Sequence, residues 1–282
     1  VIRGIIADLT TMADVVGLIP AAGRGKRIAP LPCSKELYPI GFRQDANGES
    51  RPEVASAHLL DKFRHAGITR AFVILREGKW DIPAYFGDGH NVGVNLAYVV
   101  IEGSIGPPDT LDRANPFVAG QRVAFGFPDI LFGPDDVFVR LLDHQEKSGA
   151  HIVLGCYPAH DVRQLDMLDI DAQGTIRAIH LKPQTSSLVF AWICAVWSPE
   201  FSVFLHEHVE RQRATHARNA QAYSGIDPQG DLPVGAVIKA AVDHGMRVHG
   251  VTFPGERFID IGTPENLIHA LKTKLEHHID PA

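Results

Sequence analysis

Residues Gly17 to Gly41 read GLIPAAGRGKRIAPLPCSKELYPIG, and this stretch decides the fold. Val15 to Pro20 is a short apolar, β-branched run, which predicts a buried first strand. The strand runs directly into Ala21, Ala22, Gly23, Arg24, Gly25, Lys26 and Arg27. Gly23 and Gly25 carry no side chain, so backbone N–H groups there can approach an anion closely. Arg24, Lys26, Arg27 and Lys35 add positive charge within a chain whose formal net charge is −6. That concentration suits a polyphosphate bound by charge-assisted hydrogen bonds, and it places the nucleotide-binding candidates at Ala21 to Lys26. The loop is not the GxxxxGK-Ser/Thr phosphate loop, and it lacks the third glycine of the dinucleotide fingerprint. Pro30 and Pro32 oppose a long helix immediately after it. A plain glycine turn with solvated basic side chains is the alternative, which Lys35 and the proline frame disfavour.

Outward from this loop, strand and helix patterns alternate. Ala55 to Ala66 has Leu59, Leu60 and Phe63 at helical spacing, Gly67 stops it, and Arg70 to Leu75 is a continuous apolar strand. Strands are predicted at Val94 to Ile101, Gln121 to Phe127 and Ile152 to Cys156, with a helix over Val137 to Lys147. Asp135 and Asp136 are expected to cap that helix. Leu168 to Ile179 reads as a hairpin turning at Asp171 to Gly174. Alternation of this kind predicts an α/β fold with a doubly wound, mostly parallel, Rossmann-like sheet, whose ligands sit outside the strand carboxyl ends. One domain is expected over residues 12–272, with 12–130 mainly for the nucleotide and 131–272 mainly for an acceptor. Residues 1–11 and 273–282 are expected to be tails, Met12 to be the natural start, and the end, with His277 and His278, to fray.

Composition excludes several function classes. The chain has 282 residues, 45% of them hydrophobic and 21% charged, enough to bury a core without staples. No apolar run approaches the roughly 20 residues of a membrane span, and the negative balance argues against a nucleic-acid surface. Cys33, Cys156 and Cys194 are odd in number and far apart in sequence, which suits a reducing cytoplasm better than a disulfide framework. The sequence leaves room for a homo-oligomer.

The stretch from Gly17 resembles the signature of the sugar-phosphate nucleotidyltransferases, the family that includes glucose-1-phosphate thymidylyltransferases and uridylyltransferases. There AGGxGxRLxP is followed by a lysine and LLPI. Arg51 to Val99, with its FGDGHNVGVNLAYV ending, is similar to the family's FGDGxxxGVxxxYV run, and RVHGVTFPGERFIDIGTPENL near the end is similar to WIDIGTPEDL. The likeness covers nearly the whole chain. It implies transfer of a nucleoside monophosphate from an NTP to a phosphorylated small molecule, a sugar 1-phosphate first of all, with pyrophosphate released. Gly23, Gly25 and Arg27 would hold the triphosphate, Lys35 would lie at the reacting phosphates, and Lys182 would meet the acceptor phosphate. Such a transfer needs positioning and charge neutralisation. Mg²⁺ takes only one or two carboxylates, and the resemblance implies Asp129, in AFGFPDILFG, and Asp260, in FIDIGT. A turn residue and a helix-approach cap are the alternatives for this pair.

Departures from the pattern bear on specificity. Lys26 stands where threonine is usual, and Thr110 in PPDTLDRA replaces a glycine of the loop that contacts the base, beside Pro108. The base-reading glutamine is absent, its place falling near Ile101 and Glu102; a carboxylate there could accept from an exocyclic amine. On the acceptor side Leu181 replaces a glutamate that would bind sugar hydroxyls, while Ile193, beside Trp192, replaces a glycine. These changes imply an altered acceptor pocket. A cytidylyltransferase-like enzyme for an alcohol phosphate or phosphonate is therefore a second reading, and a non-catalytic nucleotide-binding regulatory relative a third. His180 reads as a sheet-edge residue, and His206 and His208 as residues of an exposed helix.

Overall fold

A computed structural model describes residues 15–44, 47–222 and 232–276. The expected start at Met12, the tail 1–11 and His277 and His278 lie outside the described residues. In chain order the elements are β1 (Val15–Pro20), β2 (Pro39–Gln44), β3 (Ser50–Val54), α1 (Ala57–His65), β4 (Arg70–Arg76), α2 (Asp81–Phe86) and β5 (Asn95–Ile101). Then come α3 (Pro107–Asp112), α4 (Asn115–Val118), β6 (Arg122–Gly126), β7 (Ile130–Phe132), α5 (Val137–Ser148), β8 (Ile152–Pro158), β9 (Met167–Ile170) and β10 (Ile176–His180). The last are β11 (Phe190–Trp197), α6 (Pro199–Ala222), α7 (Val234–Asp243), β12 (Val248–Thr252), β13 (Phe258–Asp260) and α8 (Pro264–Glu276).

The main sheet runs β5, β4, β1, β6, β11, β8, β12, with the β9–β10 hairpin attached at the start of β11. Every pairing along it is parallel except those of β11, which runs against both β6 and β8. The carboxyl ends of β1, β4, β5, β6, β8 and β12 therefore share one edge, where β11 begins. β1 is central because it can be: Val16 and Leu18 are buried on one face and Val15 and Ile19 on the other. Gly17 lets α1 come close, for a Cβ there would stand 2.6 Å from Phe63 Cε2. Gly67 ends the α1 segment at φ +71°, a conformation that costs glycine little.

Helices cover both faces. Leu59, Leu60 and Phe63 of α1 pack with Phe138 and Leu141 of α5 on one side. Leu111 and Val118 pack with Phe201, Leu205, Val237 and Ile238 on the other. A third, smaller cluster lies beyond the sheet, where Ile40, Ala55, Leu131, Ile261, Leu267 and Ala270 join the β2–β3 hairpin, the β7–β13 ribbon and α8. These two small ribbons are not anticipated from the sequence. The expected α5 cap differs as well: Asp136 stands at the N-cap position, but its side chain makes no cap bond and pairs with Arg140 at 2.9 Å. Asp135 instead meets the buried ammonium of Lys62 at 2.9 Å. Both carboxylates find a full cation in reach, a stronger partner than a neutral backbone N–H.

Candidate active site

After Pro20 the chain makes one more strand-like bond, Ala21 N–H to Ile74 O at 2.8 Å, and then leaves the sheet as an irregular loop. Ala22 is half-buried, while Gly23, Arg24, Lys26 and Arg27 are exposed. Gly25 takes φ +60°, which a side chain would strain. Both glycines face Lys35: a Cβ at Gly23 would lie 3.9 Å from Lys35 Nζ, and one at Gly25 3.8 Å from its Cδ. The far end of the loop is tied down by Asp81 at the start of α2, whose carboxylate accepts Ser34 N–H at 2.6 Å and Ser34 Oγ–H at 2.8 Å. Burial disfavours the Asp81 charge, but those bonds outweigh it and hold its pKa below the usual carboxylate range. Between loop and β4 lies a cavity of about 510 Å³ lined by Gly23, Arg24, Lys35, Arg76, Lys79 and Asp81 among others. Four basic side chains, Arg24, Lys35, Arg76 and Lys79, line it against one acidic one, Asp81, so the cavity can accept a polyanion.

A single 3₁₀ turn over Lys35–Leu37 rotates each side chain by about a third of a turn from the last, so Lys35 and Glu36 meet different partners. Glu36 is buried and both its oxygens accept from the buried Lys79 ammonium at 2.7 Å. Burial pushes the Glu36 pKa up and that of Lys79 down, while their mutual attraction works the other way. Lys35 Nζ donates to Asp129 Oδ2. Burial works against the Lys35 charge, yet Asp129, with help from Glu36 and Asp260, raises its pKa and keeps it an ammonium.

Asp129 and Asp260, far apart in sequence, are neighbours across the β7–β13 ribbon. Asp260 pairs with Ile130, and Ile261 N–H donates to Asp129 O at 3.0 Å. Asp260 Oδ1 accepts Gly262 N–H at 2.8 Å, and its Oδ2 lies 3.7 Å from Arg27 Nη2. Burial, then the nearby Asp129 charge, pushes the Asp260 pKa up. Asp129 and Asp260 offer hard oxygen ligands of the type a divalent cation takes, and each also meets a cation of the chain on one oxygen, Lys35 on Asp129 Oδ2 and Arg27 near Asp260 Oδ2. A different trio, Asp112, His206 and Glu210, has ligand atoms within 4.8 Å of one another. The Arg213 guanidinium already occupies it, 2.8 Å from Asp112 Oδ2 and bonded to Glu210.

The other expected residues are spread along the same edge. Glu102 is exposed at the end of β5. Pro108 and Thr110 are buried in α3, where the Thr110 hydroxyl is used by Ser104 Oγ at 2.8 Å and Gly106 O at 3.3 Å. Lys182 is exposed and has φ +38°, alone in that region among the described non-glycine residues. Leu181 is 39% exposed beside it. Trp192 is mostly buried, 6.3 Å from Phe127 by ring centroids, with its Nε1 3.4 Å from Asp166. Ile193 is a correction to the acceptor set: neighbours on a strand face opposite ways, and its side chain lies in the core with Val153 and Tyr157. His180 is exposed on β10, at the rim of the sheet. Glu36, Lys79 and Asp166 are not singled out from the sequence; their only signal is a charge within a few residues of Lys35 or of a strand end.

No family model matches the chain. It is 23% identical over 266 residues to the low-salt glycan biosynthesis nucleotidyltransferase Agl11 of Haloferax volcanii, a match that spans 92% of this chain and 66% of that relative's length. Among solved structures, a Bacillus anthracis protein assigned as a glucose-1-phosphate thymidylyltransferase, in complex with sucrose, superposes with a TM-score of 0.71 at 18% identity, covering 92% of this chain and 95% of that one. A UDP-glucose pyrophosphorylase is similar without ligand, at TM-score 0.73 and 14% identity over 94% of this chain and 100% of that one. Its complex with UDP-glucose gives 0.72 and 14%, over 94% of this chain and 99% of that one. The fold expected from the first strand and its loop is thus the fold found.

Proposed function

We propose that the chain is a nucleotidyltransferase that moves a nucleoside monophosphate from an NTP to a sugar 1-phosphate and releases pyrophosphate. One observation carries the reading: the loop Gly23 to Arg27, Lys35, Asp129 and Asp260 converge at the carboxyl edge of the sheet, although they come from both ends of the chain. The similarity to a curated nucleotidyltransferase and to solved pyrophosphorylases supports it. In the reaction an oxygen of the acceptor phosphate attacks the α-phosphorus, the bond from that phosphorus to the bridging oxygen breaks, and pyrophosphate leaves with the electron pair. No covalent bond to the protein is required. Backbone N–H groups at Gly23 and Gly25, with Arg24, Lys26 and Arg27, bind the leaving phosphates. Lys35, kept protonated by Asp129, offsets the charge gathering at the reacting phosphates. Lys182 holds the acceptor phosphate, with Leu181 and Trp192 beside it, while Glu102, Pro108 and Thr110 border the base.

Asp129 and Asp260 are the pair that would hold Mg²⁺, which would neutralise phosphate charge and orient the α-phosphate. Residues 12–130 supply most of the nucleotide site and 131–272 most of the acceptor site, with Asp260 crossing from the second to the first. No helix among the described residues is long and apolar enough to cross a membrane. Cys156 and Cys194, on adjacent strands, are free thiols, and we place the enzyme in the reducing cytoplasm.

Pyrophosphate release measured for every NTP against a panel of sugar 1-phosphates and amino-alcohol phosphates tests the reading. A hexose 1-phosphate is expected to turn over; release only with an amino-alcohol phosphate would favour the cytidylyltransferase-like alternative, and no release with any pair would favour the regulatory one. Asp129→Asn and Asp260→Asn should each lower release by at least about 100-fold with circular dichroism unchanged, the scale of losing one preorganised charge contact.

A further inference from the structure

The acceptor end of the sheet holds a carboxylate that the reading above does not use. Asp166 lies just before β9, where the start of β11 meets the amino end of α7. Its Oδ2 accepts the Trp192 indole N–H at 3.4 Å. Gly235, the second residue of α7, is what admits it, since a Cβ there would stand 1.9 Å from Asp166 Oδ2. The Leu181 side chain converges on the same point, with Cδ2 3.3 Å from that Cβ position. Asp166 Oδ1 is enclosed and has no hydrogen-bond partner among the described residues. Burial pushes the Asp166 pKa up, while the Trp192 indole N–H and the Lys182 ammonium and backbone N–H draw it down.

A buried carboxylate oxygen without a donor is costly, and such an atom in a folded chain asks for an explanation. Packing alone does not supply one, because a leucine or asparagine would suit a purely structural position better. Its surroundings do. Lys182 next to Leu181 is exposed, makes no ion pair among the described residues, and holds φ +38°, the kind of unfavourable backbone found where a side chain must be aimed. An anion-seeking ammonium and a donor-seeking carboxylate thus stand side by side. The half-exposed Leu181 and the Asp166 carboxylate both approach Gly235, and the mostly buried Trp192 donates to the carboxylate.

We infer that Asp166 is the specificity residue of the acceptor site: with Leu181 displaced, its carboxylate accepts a hydrogen bond from a hydroxyl or ammonium group of the acceptor while Lys182 binds the acceptor's phosphate. The inference rests on the proposed nucleotidyltransferase reading. It narrows the acceptor to phosphates that carry a hydrogen-bond donor near the phosphate, either a sugar 1-phosphate or its amino counterpart.

Binding can be read without turnover. Calorimetric titration of the full chain, saturated with a non-hydrolysable NTP, would use glucose 1-phosphate, glucosamine 1-phosphate and phosphoethanolamine as probes. Asp166→Ala should weaken binding about 10- to 100-fold, the usual loss for a hydrogen bond to a charged group, with NTP affinity unchanged within about twofold. Asp166→Asn, which keeps an acceptor oxygen and the Trp192 contact, should recover most of the loss for glucose 1-phosphate. It should recover little for the ammonium probes, which need the charge. Unchanged acceptor affinity in both variants, NTP affinity that falls in step with acceptor affinity, or a wild-type chain that binds none of the three probes would overturn the inference. An Asp166-dependent acceptor site in a chain that releases no pyrophosphate would sink the reaction and keep Asp166. Turnover indifferent to both variants would do the reverse.

Discussion

At the scale of single residues the site works by alternating charge. Lys79, Glu36, Lys35, Asp129, Asp260 and Arg27 each meet a neighbour of opposite sign or, between the two aspartates, a like sign that a cation would relieve. Only Lys35, Asp129, Asp260 and Arg27 are recognisable beforehand, because a resemblance marks them; Glu36 beside Lys35 looks like an ordinary surface charge until Lys79 is seen to cover it. Asp81 is a further hidden part. Its folded pKa is depressed, so its stabilising contribution is complete above the ordinary carboxylate value of 3.8 and is lost as pH falls through the lower folded value. Asp81→Asn should therefore lower the thermal midpoint at pH 7 and weaken NTP binding by untying Ser34. At pH 3 the gap between the two midpoints should narrow; an equal gap at both pH values would refute the anchoring role.

At the scale of elements, α3 is held against α6 by charge as well as by the packing of Leu111 on Phe201 and Leu205. Arg213 Nε donates to Asp109 Oδ1 at 2.8 Å, and its Nη1 lies 2.8 Å from Asp112 Oδ2. Both aspartate side chains are almost wholly buried, at 2% and 1% exposed. Removing the guanidinium leaves two buried carboxylates to be met by Arg113, His206 and the Ile105 backbone N–H. Arg213→Met should cost about 3 kcal/mol in urea denaturation, the lower end for breaking a buried ion pair. A loop over Gly103 to Pro108 followed by a helical stretch is what the sequence suggests, and α3 starts slightly earlier, at Pro107, because prolines in a first turn give up no helical bond.

At the scale of the whole molecule, the third cluster packs the C-terminal helix against the ribbon that carries the proposed metal pair. Leu267 of α8 packs with Ile40, Leu131 and Ile261, the last two beside Asp129 and Asp260 on the ribbon. Leu267→Ala should destabilise the chain by about 2 kcal/mol, near the low end for a large-to-small core change because the site is at the rim. It should also weaken Mg²⁺ binding, measured by titration of the folded protein, since the ribbon sets the spacing of the carboxylates. Mg²⁺ affinity unaffected by that substitution would show that α8 has no part in placing the pair.

The local signals were strong where the chain's own pattern suffices. An apolar β-branched run, a glycine pair and a cluster of cations define β1 and its loop, because strand burial and anion approach depend on residues adjacent in sequence. Alternating patterns likewise foretell the parallel sheet. Tertiary packing alone put Asp129 next to Asp260, turned Ile193 into the core, tied Asp135 and Asp136 to Lys62 and Arg140, and enclosed Asp166 between Gly235 and Trp192. The reason is physical: a charge's role is set by burial and by the partners that reach it, and those partners arrive from distant parts of the chain.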